Sequence, residues 1–223
     1  MLDVRAFAAE EAVDPLGGPG LYAPEAVPAD GRAARSHRTR RAIVDAMRSL
    51  HAEGDLRPTA PRLAERAGVS LRTVWQQFAD METLLVEACR RDLEVLLSLV
   101  QKIEPDQPLD ARIGLFVSQR SHVLEEMTPT WRAARIHKPS SEQLRRSKAQ
   151  MIARAKAELE TVFLLEFSQL AGEKRQQLVD SLHAISIWAF WESLRTDLRL
   201  RPQQARDLLR ATFTALFAEA GFR

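Results

Sequence analysis

The chain has 223 residues, 45% hydrophobic and 28% charged, which is enough for one large or two small domains around a real core. Its longest nearly unbroken apolar run, Ala184 to Trp191, falls far short of the roughly 20 residues that span a bilayer, so no membrane segment is expected. The net charge of +2 selects no partner by itself, and the single cysteine, Cys89, offers no disulfide.

The charge is unevenly placed. Residues 1–31 carry six acids against Arg5 alone and include DPLGGPG and APEAVPAD, with no helical or strand period. That composition predicts a disordered tail. The opening MLDVRAFAAEEAVD has acids where a signal peptide needs a longer apolar core, so a cytoplasmic protein is expected. From Arg32 to Phe78 the sign reverses, with ten arginines against four acids. Such a block can neutralise nucleic-acid phosphates, and it can equally be a solvated face.

From about Ser36, apolar residues at Ile43, Met47 and Leu50 predict a first helix that ends before Gly54. Thr59 stands as the N-cap of a second, with Pro61 in its first turn, and Gly68 ends it by allowing a left-handed backbone. Val69 plugs the corner and Ser70 caps a third helix that turns Val74 and Phe78 inward. Two short helices joined so tightly form a helix-turn-helix, although AGVS in isolation would also suit a packing corner in another helical domain. In the motif the second helix enters the major groove and the first crosses the backbone. The outward side chains here are Leu71, Arg72, Thr73, Trp75, Gln76 and Gln77. Arginine can pair with guanine and glutamine with adenine, while leucine touches a thymine methyl.

The stretches IVDAMRSLHAEG, PTAPRLAERAGVS and LRTVWQQFADMETLL, spanning about Arg41 to Leu85, resemble the DNA-binding domain of the TetR family of transcriptional regulators. The resemblance implies base contacts from Leu71, Arg72 and Gln76, and phosphate or sugar contacts from Thr59, Thr73, Trp75 and Gln77. Arg38, Arg40 and Arg41 are backbone-contact candidates from charge alone. Arg72, Trp75, Gln76, Gln77 and Met81 depart from the residues usual in the family, so a different operator is expected, and the phosphate contact that a lysine often makes at the Met81 position in the family is not expected here.

Beyond the motif, Asp80 to about Ile103 reads as a long linking helix with a stripe at Leu85, Cys89, Leu93, Leu96 and Val100. Cys89 on that stripe is expected to be a buried, inert thiol. Further helices are predicted at about 109–126, 129–138, 141–170, 174–198 and 203–219, the 141–170 segment being long enough to break in two. Apolar residues surround HAISIWAFWESL, and the last helix carries a second stripe at Ala211, Ala215 and Ala218. Helices apolar all round must be buried all round. Both this pattern and the resemblance imply a homodimer through the two C-terminal helices. Trp131, Trp188 and Trp191, with Arg135, His137 or His183 as polar anchors, could line a pocket for a small, mainly apolar ligand, or could simply be core.

No phosphate loop, metal-ligand spacing or nucleophile motif is present, so neither an enzyme nor a cofactor is expected. The sequence predicts an all-α protein. Residues 1–35 are an acidic tail and basic arm, 36–80 a three-helix helix-turn-helix domain, and 81–223 a larger helical regulatory and dimerisation domain. The expected function is binding of a double-stranded DNA operator by a ligand-responsive repressor. An architectural DNA-binding protein without ligand sensing is the alternative.

Overall fold

The computed structural model describes residues 30–97, 100–137 and 142–222, and every regular element among them is a helix. These are α1 (Gly31–Ala52), α2 (Ala60–Ala67), α3 (Leu71–Gln77), α4 (Met81–Leu97), α5 (Leu109–His137), α6 (Glu142–Val162), α7 (Leu164–Ser168), α8 (Gly172–Ile185), α9 (Trp188–Thr196) and α10 (Pro202–Glu219). The acidic segment 1–29 lies outside the described residues.

The N-terminal helices close around one core. Ile43, Met47 and Leu50 of α1 meet Leu63 of α2, Val74 of α3 with Phe78 just after it, and Leu84 and Ala88 of α4. Each such large side chain stabilises by about 1.5–3 kcal/mol when fully buried. α3, at seven residues, is far too short to hold its own helix in water, so this packing is what makes it helical. Ala133 of α5 joins the same cluster, seating the head on the rest of the molecule.

α1 begins five residues before the expected Ser36. Asp30 caps it, its carboxylate accepting from the Arg32 amide at 3.2 Å. The apolar period starts only at Ile43, and residues 31–42 are held by the cap and by good helix formers, a signal that periodicity misses. Arg38, Arg40 and Arg41 lie within α1.

The remaining helices pack around α5. Its face carries Phe116, which meets Phe163 and Phe213 at ring-centroid distances of 5.6 and 5.5 Å, with Phe167 and Phe217 completing the cluster. At one end of α5, buried Arg112 donates to the Glu166 carboxylate at 2.8 Å and to the Val162 carbonyl at 2.9 Å, tying α5 to the junction of α6 and α7.

Several expected boundaries shift. α5 runs unbroken through Pro129, where two helices were expected. Burial of Leu124, Met127, Thr130 and Ala133 on both sides overrides the roughly 3 kcal/mol that an internal proline costs. The expected 174–198 helix breaks instead at Ser186 and Ile187, where the wholly buried Ser186 hydroxyl donates to the His183 carbonyl and Ile187 turns extended. α4 is helical to Leu97 and the chain is not helical at 100–104, where Ile103 is drawn into the phenylalanine core ahead of Pro105. The 141–170 segment does divide, at wholly buried Phe163.

Candidate nucleic-acid interface

The turn between α2 and α3 is built locally. Gly68 adopts φ 65°, ψ 33°, and its amide reaches the Ala64 and Glu65 carbonyls. Val69 then bonds the Ala64 carbonyl at 3.0 Å, completing a left-handed helix cap. Ser70 starts α3 at once, its hydroxyl oxygen accepting from the Thr73 amide at 3.0 Å. Thr59 has the extended backbone of an N-cap, but its hydroxyl makes no cap bond and faces solvent.

With Val74 and Phe78 pinned in the core, α3 presents Leu71, Arg72, Trp75 and Gln76 on its outer face. Leu71 and Trp75, one turn apart, are 42% and 44% exposed. Thr73 sits at the edge, its hydroxyl 2.8 Å from that of Ser70. Arg38 and Arg41 are exposed on α1, as are Arg32 and Arg35.

Two of the proposed backbone contacts are placed differently. The Arg40 guanidinium turns inward, with Nη1 donating to the Gln77 carbonyl at 2.6 Å and Cζ 4.2 Å from the Phe78 ring centroid. The Gln77 side chain is half-buried and exchanges hydrogen bonds with the Ser36 hydroxyl at 3.2 and 3.3 Å. Charge counting cannot separate an arginine that faces solvent from one aimed at a carbonyl far along the chain.

In the C-terminal part, Trp131 and Trp188 meet edge to face at 5.7 Å, and Arg135 lies 6.0 Å above the Trp188 ring. Trp188 donates to the Thr128 hydroxyl at 3.1 Å. Trp191 is wholly buried, its indole N–H donating to Glu125 at 2.8 Å. His183 stands apart, beside Arg120, Lys156 and Asp180. Burial, then Arg120 and Lys156, hold its imidazole below the usual 6.5, so it is neutral at pH 7. The side chain of His137 lies outside the described residues.

A cleft of about 120 Å³ that the sequence does not announce lies among the N-terminal helices, between Met47, Leu56, Pro58, Met81 and Leu85. No spacing rule would have found it, because its walls come from α1, the α1–α2 loop and α4. Among the described residues no cluster of His, Cys, Asp or Glu could hold a metal ion, and no helix is long and apolar enough to cross a membrane.

No family model matches the chain, and no curated protein sequence matches it. Solved structures do match. A transcriptional regulator from Rhodococcus sp. Rha1 superposes with a TM-score of 0.62 at 16% identity, covering 82% of this chain and 96% of that one. A proposed transcriptional regulator from Pseudomonas aeruginosa PAO1 gives 0.59 at 19% identity over 82% and 93% of the two chains. A proposed TetR-family regulator from Mesorhizobium loti MAFF303099 gives 0.59 at 18% identity over 83% and 98%. The chain thus has the all-α fold of a TetR-type transcriptional regulator.

Proposed function

We propose that the chain is a DNA-binding transcriptional regulator of the TetR family, a homodimeric repressor that reads a palindromic operator with α3 and leaves it when a small, mainly apolar ligand binds the C-terminal part. The observation that carries the reading is the outer face of α3, where Leu71, Arg72, Trp75 and Gln76 are exposed together while Val74 and Phe78 anchor the same helix. A helix so held, with exposed arginines on the neighbouring α1, has the shape and charge a major groove accepts. Leu71, Arg72 and Gln76 are the proposed base contacts. Thr59, Thr73, Trp75, Arg38 and Arg41 are the proposed backbone contacts.

For the dimer, the reading is supported by α10, whose outward stripe of Leu208, Ala211, Ala215 and Ala218 is exposed while Leu209, Phe213 and Phe217 are buried. Covering that stripe with the symmetry-related stripe of a second copy would bring two reading heads into fixed relation. For the ligand, support comes from Trp131 and Trp188, both half-buried, with Arg135 beside them.

Selection of duplexes from a random-sequence library tests the reading. The recovered sites should be inverted repeats with half-sites about one helical turn apart or more. Recovery of asymmetric sites, or none enriched over random DNA, rejects it.

A further inference from the structure

We propose that Arg40 is a positioning residue, a staple from α1 that fixes the C-terminal end of α3 and so sets how the reading helix enters DNA. The inference rests on the regulator reading above.

α3 ends abruptly. Phe78 is extended at φ −133°, ψ 134°, its amide closing the last helical bond to the Val74 carbonyl. The final carbonyls of any helix lack internal partners and carry the negative end of its dipole. Helices commonly answer this with a cation of their own in the last turn, but α3 has none. Arg40 supplies it from another helix. Its Nη1 takes the Gln77 carbonyl, its plane lies over the buried Phe78 ring, and its Nη2 approaches Glu87 of α4 at 3.9 Å. One turn earlier on α1, Ser36 holds the Gln77 side chain. The same guanidinium thus touches the end of α3, the core residue that stops it, and the helix leading into the body. Arg38 and Arg41 flank it in sequence but are exposed.

A staple and a phosphate contact differ in what they do to salt dependence. Removing a phosphate contact weakens all DNA alike and lowers the salt slope by about one, whereas misplacing α3 weakens only the sequence that α3 reads. Arg40→Lys is the informative variant, since it keeps the charge but loses the planar guanidinium that stacks and bonds at once. On a duplex recovered by the wild type from a random library, Arg40→Lys should lose about 10- to 100-fold in affinity, the range expected for a charged hydrogen bond and a cation–π contact. Affinity for a random duplex should change less than about twofold, with the salt slope unaltered. In protein without DNA, hydrogen exchange of the Val74 and Phe78 amides should accelerate at unchanged overall helicity.

Equal losses on both duplexes with a lowered slope in Arg40→Ala would make Arg40 a phosphate contact and overturn the proposal. Undiminished specific binding, or unchanged exchange at α3, overturns it as well. If the wild type prefers no duplex, the regulator reading fails, and the exchange measurement alone decides whether the staple exists.

Discussion

Arg48 of α1 and Asp92 of α4 are joined by a charge-assisted hydrogen bond, and the second oxygen of Asp92 accepts from the Thr130 hydroxyl of α5. One buried carboxylate on α4 therefore joins three helices, linking α1 of the N-terminal cluster to α5 of the body. Thr130 follows Pro129 in sequence, and Thr128 before it accepts from Trp188. The N-terminal helices are thus hydrogen-bonded to the part of α5 that carries Trp131 and accepts from Trp188 of α9.

Asp92→Ala should destabilise the protein by about 2–4 kcal/mol, since it leaves Arg48 and Thr130 without a shared acceptor in a mostly dry site. Thr130→Val, which loses one hydroxyl at constant shape, should cost about 1 kcal/mol. Urea unfolding of both variants checks this. A loss for Asp92→Ala no larger than for Thr130→Val would show that the carboxylate is not the centre of the junction.

Arg72→Ala should weaken the selected site by about 1–3 kcal/mol and relax preference at one base pair per half-site, because a guanidinium in the major groove can bind guanine through two bonds. Arg41→Ala should weaken every sequence alike and reduce the salt slope by about one. Titrations of selected and random duplexes at several salt concentrations separate the two. The same factor on both DNAs for Arg72→Ala would remove α3 from the reading role.

Charges on the outward face of α10 should lower the dimer fraction without unfolding the chain. Leu208 is 41% exposed and Ala215 lies two turns further along the same face, so Leu208→Glu and Ala215→Glu meet no core. Ile187 is less suited to this test, being half-buried at the cap of α9. Sedimentation velocity with circular dichroism should show monomer of native helicity. An unchanged dimer would place the interface elsewhere.

Burial pushes the Cys89 thiol from its usual 9.0 up to about 12, with the charge of Asp92 adding to the rise. The folded thiol stays protonated where the unfolded one ionises. Its contribution to stability is therefore whole below pH 9 and is lost as pH climbs towards about 12. Cys89→Ala should flatten the fall of stability in that window relative to wild type. In the native protein, a disulfide reagent at pH 8 should label Cys89 more slowly than in the unfolded chain, because the raised pKa leaves little thiolate.

The α2–α3 turn is legible in the sequence because every signal for it is local: Gly68 for the positive φ, Ser70 for the cap, Val74 and Phe78 one turn apart. The start of α1 is not, because Asp30 acts through a cap and not through a period. Arg40 is illegible for a different reason. Its partner is the Gln77 carbonyl, 37 residues away, and nothing in an arginine-rich run says which member points inward. The unbroken passage of α5 through Pro129 and the break of α8 at Ser186 follow from burial on neighbouring helices, which no single stretch of sequence records.

The four tryptophans fall into two groups that light will distinguish. Trp75 stands 44% exposed on the outer face of α3, whereas Trp191 is sealed in the body and Trp131 and Trp188 are packed against each other. Emission from Trp75 should lie to the red and yield to acrylamide, and that from Trp191 should lie to the blue and resist it. The chain therefore carries two optical reporters, one on the outer face of α3 and one in its interior, and Trp75→Phe silences the first while leaving the second intact.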